Sequence, residues 1–193
     1  MIPEKSLNYI LKWVAILLTV ILICWLLFEF YKNSLPGRTD YLSGNNSFMD
    51  GHFEVSYKQY LSALEKDNTN FYAAEGVARS LMKLKKYEDA LVAFEKTIKI
   101  NPFFAAAYAN RGILFDEMGK HLKAIKDYEK ALALDQEIGK GMHWLDRLLY
   151  DVRKPTVTIN NRLDYLKLQM NKPKDERILI IPEEDAKQPY YEQ

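Results

Sequence analysis

The side chains in this chain best suited to chemistry are three histidines, one cysteine and a few acid clusters. His52, His121 and His143 show no metal-ligand spacing, and there is no HExxH pair. There is also no glycine-rich phosphate loop and no GxSxG nucleophile turn. Glu88 and Asp89 suit the first turn of a helix, whose positive end favours acids. Glu183, Glu184 and Asp185 lie in a proline-interrupted tail and lack the spacing of a calcium loop. Cys24 is the single cysteine and lies inside an apolar run, so the remainder has no disulfide and no cysteine-based metal site. Residues of these types at these spacings point away from an enzyme. We expect no catalytic residues, no metal and no cofactor.

The composition says where function should lie instead. Almost half of the 193 residues are apolar and more than a quarter are charged, which suits a folded domain with attachments. The net charge of +1 gives no basic stripe for nucleic acid. The expected partners are proteins, met through surfaces, with no nucleic acid and no small-molecule substrate.

The N-terminus carries the apolar run WVAILLTVILICWLLF, sixteen residues at 13–28 in which only Thr19 is at all polar. Residues 7–28 make 22 positions, enough to cross a hydrocarbon core of about 30 Å. Lys12 interrupts the run and can reach the headgroups by snorkelling. Trp13 stands near one end, and Trp25, Phe28, Phe30 and Tyr31 near the other, where aromatics favour the interfaces. No small-x-small cleavage site follows, as a signal peptide would need. A core helix of a soluble protein would have a wet face, and this run has none. We therefore expect an uncleaved anchor at 7–30, between a flank at 1–6 and a linker at 31–36. Lys5, Lys12 and the α-amino group before the span, against Lys32 and Arg38 after it, favour a cytoplasmic N-terminus by a slight bias. The rest of the chain would then face the periplasm of a bacterium.

Beyond the anchor the sequence repeats itself. YEDALVAFEKTIKINP at 87–102 aligns without a gap with HLKAIKDYEKALALDQ at 121–136, an offset of 34 residues. The matches pair Ala90 with Ala124, Phe94 with Tyr128, and Ile98 with Leu132. That period belongs to a helix–turn–helix unit that buries its apolar face only by stacking on copies of itself. The copy at 71–104 has Val77, Ala78, Leu81, Ala90, Phe94 and Pro102 in place, with departures at Ala74 and Thr97. The copy at 105–138 has Tyr108, Gly112, Phe115, Gly119, Ala124, Tyr128 and Ala131, with departures at Arg111 and Gln136. A degenerate copy at 37–70 keeps Gly44, Gly51, Phe53, Tyr60 and Ala63 but has Asp40, Ser43 and Ser56 out of pattern. Met142, Leu145 and Leu149 give helical spacing to 139–151, which would cap the open end of the stack.

These residues resemble the tetratricopeptide repeat. The resemblance implies an all-α chain: an N-terminal transmembrane helix, then a short superhelix of about three repeats plus a capping helix over 37–151. A C-terminal helix at about 160–170 and a partly extended tail would fill 152–193. It further implies that the first helix of each repeat lines a concave groove that binds protein partners. Under that alignment the groove positions are Tyr72, Glu75, Arg79, Lys83, Asn110, Ile113, Asp116, Glu117, His143, Trp144 and Arg147. Trp144 and Arg147 are of the types that dominate binding energy. Some members of the family grip a C-terminal carboxylate with lysines, asparagines and an arginine. Asn110 fits that set, whereas Glu75, Gly76, Lys140 and Trp144 do not, which speaks against such a clamp here.

The tail is the second candidate surface. Pro155 breaks the preceding helix, and Pro173, Pro182 and Pro189 forbid another long one. Ile178, Leu179, Ile180 and Ile181 form a short apolar extended run. It either lies against the repeats, filling their groove in cis, or docks a partner, or stays disordered.

The chain as a whole looks like bacterial inner-membrane proteins with one anchor followed by tetratricopeptide repeats. We expect a non-catalytic, single-pass membrane scaffold that organises or assembles a membrane or periplasmic complex. The alternatives are an integral accessory subunit of a larger membrane complex and a cytosol-facing organelle receptor of the import-receptor type.

Overall fold

The computed structural model describes residues 4–140 and 157–180, with the side chains of 4–8, 10, 32 and 33 left aside. Among the described residues there are eight α-helices, two short 3-10 turns and no strand. The helices are α1 (Glu4–Asn33), α2 (Arg38–Met49), α3 (Phe53–Lys66), α4 (Phe71–Lys83), α5 (Tyr87–Ile100), α6 (Ala105–Glu117), α7 (His121–Leu134) and α8 (Ile159–Met170).

The long helix α1 holds 21 residues, Leu11–Tyr31, long and apolar enough to cross a membrane by length and composition, and none of them is buried in the fold. At about 1.5 Å per residue they match the hydrocarbon thickness. The hydroxyl of Thr19 donates to the Ala15 carbonyl at 2.8 Å, so its one polar group is satisfied within the helix.

The 34-residue period of the sequence becomes the period of the helices. The second helices start at Phe53, Tyr87 and His121 and end at Lys66, Ile100 and Leu134. The turns inside each pair use one left-handed residue at Gly51, Lys85 or Gly119. The turns between pairs use Asp67, Asn101 or Asp135, whose side chains accept from the backbone N–H two residues on, at 3.0, 3.0 and 2.9 Å. Asn70 then caps α4 by accepting from Ala73 N–H at 3.0 Å.

The core runs along the stack. Tyr60, Phe94 and Tyr128, again 34 apart, are fully buried. Each ring needs small neighbours. A Cβ on Gly44 would stand 2.7 Å from the Tyr60 ring, one on Gly76 2.5 Å from it, and one on Gly112 2.7 Å from Tyr128.

The degenerate first copy is a complete helix pair, including α2. Its out-of-pattern residues find polar partners: Asp40 takes Lys66 at 2.5 Å, and the Ser56 and Ser80 hydroxyls lie 2.8 Å apart in the core. Asn45 accepts the Tyr60 hydroxyl at 2.6 Å.

The expected capping helix at 139–151 enters a 3-10 turn at Glu137–Lys140, and the rest of it lies outside the described residues. Within the described residues, α8 closes the end of the stack. It packs on α7 and the 3-10 turn, burying Ile159, Leu163 and Leu166 in the common core. Thr158 caps α8 by accepting from Asn161 N–H at 3.2 Å.

Candidate functional site

The groove positions read from the sequence fall into two sets. Tyr72, Lys83 and Glu117 are at the surface. Glu75, Arg79, Asn110, Ile113 and Asp116 are buried. His143, Trp144 and Arg147 lie outside the described residues.

The buried set forms polar networks in which each charge has a partner. Asn110 Nδ2 donates to Glu75 Oε1 at 2.6 Å, and Arg79 Nε lies 2.8 Å from Glu75 Oε2. The Arg79 guanidinium also sits 4.6 Å from the centre of the Phe48 ring. This links α2, α4 and α6 through one i, i+4 ion pair.

The second network joins the repeats to the C-terminal helix. Arg162 on α8 reaches Asp116 on α6 by two bonds, Nε to Oδ2 at 2.5 Å and Nη2 to Oδ1 at 3.0 Å. Asp116 Oδ1 also lies 2.7 Å from His121 Nδ1, and the Tyr128 hydroxyl donates to Oδ2 at 3.5 Å.

The tail clasps α8 in turn. Arg162 Nη2 donates to the Leu179 carbonyl at 3.0 Å and the Tyr165 hydroxyl to the Ile178 carbonyl at 2.7 Å. Ile178 N–H donates to Gln169 Oε1 at 3.1 Å. The apolar run is therefore an extended segment with alternating sides: Leu179 packs on the core, while Ile178 and Ile180 are exposed. Ile181 lies outside the described residues. Sequence reasoning missed that α8 and the tail form one clasp, because the Arg162–Asp116 bond spans 46 residues.

On the surface set, burial pushes the Lys83 amine below the usual lysine range, opposed by the Glu117 charge. Burial likewise raises the Glu117 carboxyl, against a hydrogen bond from Tyr87 and the charge of Lys83. Tyr87 is raised by burial and by Glu117. Lys83 on α4 and Glu117 on α6 thus form a partly screened pair beside Tyr87 of α5. Among the described residues, no group of three or more His, Cys, Asp or Glu side chains is placed to hold a metal ion.

Stacked antiparallel helix pairs at one fixed period define a helical-repeat solenoid. The tetratricopeptide-repeat family matches at residues 76–104 and again at 105–137. The chain thus carries tetratricopeptide repeats over those residues. It is 32% identical over 92 residues to the Hsp70-Hsp90 organizing protein of Triticum aestivum, covering 48% of this chain and 16% of that protein. The first repeat domain of Spaghetti (RPAP3), solved with the HSP90 peptide SRMEEVD, superposes with a TM-score of 0.56 at 20% identity, over 70% of this chain and 94% of that one. The second such domain, bound to the same peptide, gives 0.50 at 26% identity, over 55% of this chain and 99% of that one. The chain spans less than two thirds of the curated relatives it matches, 16% of the wheat protein and 21% of RNA polymerase II-associated protein 3 of Xenopus tropicalis.

Proposed function

We propose that this protein is a non-catalytic, membrane-anchored adaptor whose repeat domain binds a segment of a protein partner and organises a membrane or periplasmic complex. The observation that carries the reading is the junction of two parts. A three-repeat stack follows a span-length apolar helix after only four intervening residues, 34–37. The anchor localises the stack, and the stack supplies the binding surface. The slight excess of positive charge before the span favours the repeats on the periplasmic side of a bacterial inner membrane.

The contact positions are Tyr72, Lys83 and Glu117 on the surface of α4 and α6, together with His143, Trp144 and Arg147, which the repeat alignment assigns to the groove. Arg79, Asn110 and Asp116 act beneath them by fixing the helices that present the surface. The partner class differs from the HSP90 peptide held by the solved relatives. Asn110, which matches the carboxylate-gripping pattern, donates to Glu75 of the same domain. Glu75 thus keeps a carboxylate against the Asn110 amide, and that charge disfavours a second acid beside it.

The test is affinity capture from gently solubilised native membranes with mass spectrometry, comparing the full chain with Tyr72→Ala/Lys83→Ala and with Trp144→Ala/Arg147→Ala. A defined set of membrane proteins lost in either variant supports the adaptor reading. Retention of the same set in both variants, with loss on replacing the span, shifts the function to an integral accessory subunit.

A further inference from the structure

One edge of the repeat stack gathers exposed apolar and aromatic side chains. All three first helices begin on it: α2 at Arg38, α4 at Phe71 and α6 at Ala105. Leu35, Pro36, Tyr41 and Tyr72 line one cleft there, together with the polar Arg38, Asp67 and Asn70. Phe104 carries the edge onward, with its ring 5.0 Å from Phe71 and 5.5 Å from Tyr72. Beside it, Phe103 is 80% exposed. Its position is fixed, because Phe103 N–H donates to Asn101 Oδ1 at 3.0 Å and the next residue, Phe104, is buried. The ordered turn thus holds the Phe103 ring out in solvent. Leu35 and Tyr72 are also exposed, at 43% and 41%.

The same edge receives the anchor. Residues 34–37 reach less than about 20 Å even when fully extended. Gly37 docks this link on α3: its φ is 73°, and a Cβ there would stand 2.5 Å from the Ala63 carbonyl oxygen. The link is therefore a seated connection, which sets this edge nearest the end of the span at Tyr31. Its charges are mixed: Lys66 is paired with Asp40, and Asp67 and Asp135 accept hydrogen bonds within turns. Apolar and aromatic side chains, rather than net positive charge, would make the contact.

We infer that the edge carrying Leu35, Tyr72 and Phe103 rests in the interfacial zone of the bilayer that holds α1, with Phe103 as the inserted ring. This rests on the anchor reading of α1. The occupant is the lipid surface itself, and zwitterionic lipid suffices. Interfacial aromatics of this kind add to an anchor and fix the tilt of what it carries. The stack would then be held at one orientation, with the mid-helix surface of α4 and α6 turned along the membrane.

The experiment uses the full chain in phosphatidylcholine nanodiscs, in a Cys24→Ala background, with a spin label on Phe103→Cys or on Val92→Cys. Val92 is 67% exposed in the middle of α5, away from this edge. The ratio of oxygen to aqueous nickel-chelate collision rates should be at least about threefold higher at 103 than at 92, as expected for a residue at headgroup depth. Adding Leu35→Ser/Tyr72→Ser should bring the label at 103 down to the value at 92. Equal ratios at the two sites in correctly inserted protein overturn the docking and leave the anchor standing. Full chain that elutes apart from the discs overturns the anchor and the docking together.

Discussion

Arg162 and Asp116, 46 residues apart in sequence, are joined by two hydrogen bonds with both side chains buried. That bond fastens the C-terminal helix to the last repeat, and the Leu179 carbonyl is fastened to the same guanidinium. Removing Arg162 takes the buried Asp116 carboxylate's two-bond partner away and leaves it only the His121 and Tyr128 contacts. Arg162→Met should therefore destabilise the domain by about 3–5 kcal/mol in urea unfolding. It should also open residues 157–180 to limited proteolysis. Asp116→Leu/Arg162→Met should recover part of the loss, since the under-paired buried charge is gone while His121 and Tyr128 lose their contact with Asp116. A single variant as stable as the parent would show that the clasp is held by apolar packing alone.

The turns inside the repeats make a second case. Gly51, Lys85 and Gly119 occupy one structural position with φ of 77°, 59° and 71°. A left-handed conformation costs a side-chain-bearing residue roughly 1–2 kcal/mol, and glycine returns part of this as chain entropy in the unfolded state. Lys85→Gly should raise stability by about 0.5–1 kcal/mol. Gly119→Ala should lower it, although nothing stands within 4 Å of its Cβ position. Thermal unfolding of both variants, run side by side, reads the sign directly.

Most of this fold was legible because its signal is periodic. The offset of 34 gave the helix pairs, and Tyr60, Phe94 and Tyr128 marked the core before any coordinate did. The first copy was harder to read because Asp40, Asn45 and Ser56 replace packing signals with hydrogen bonds to partners far along the chain. Thr97, an out-of-pattern polar residue at a core position, is accommodated by donating to the Ala93 carbonyl at 3.0 Å. The candidate site was less legible. Repeat alignment assigns a residue to a helix face, but Asp116 stands where the other copies have Phe48 and Met82. Its burial follows from Arg162, His121 and Tyr128, none of which the period identifies as partners.

Close approach of paired helices gives a third prediction. Tyr128 is fully buried, so its ring has no open space to move into when a methyl group arrives 2.7 Å away at Gly112. Gly112→Ala should cost about 1–3 kcal/mol despite alanine's better helix propensity. The double variant Gly112→Ala/Tyr128→Leu, with a smaller and more adaptable side chain, should recover part of this. If Gly112→Ala alone is neutral or stabilising in chemical unfolding, α6 and α7 lie farther apart than described.

The last prediction concerns pH. Burial raises the Glu117 carboxyl above its ordinary 4.5, only partly opposed by Tyr87 and Lys83. The folded protein therefore holds this proton at pH values where the unfolded chain has released it. The stability contributed by neutral Glu117 is fully present below the unfolded value and is lost as pH rises through the folded one. Asp40 has the opposite sign: the hydrogen bond from Lys66 lowers its carboxyl, so its contribution is present at neutral pH and lost on acidification. Glu117→Gln removes the first titration and leaves the second. The stability of the parent relative to Glu117→Gln should be greatest below pH 4.5 and should fall as pH rises towards neutrality. Because the side chain is at the surface, the change should be small and should shrink further in high salt. Urea unfolding of the two proteins across that range provides the measurement. A difference that grows with pH would mean that attraction to Lys83, rather than burial, governs this carboxyl.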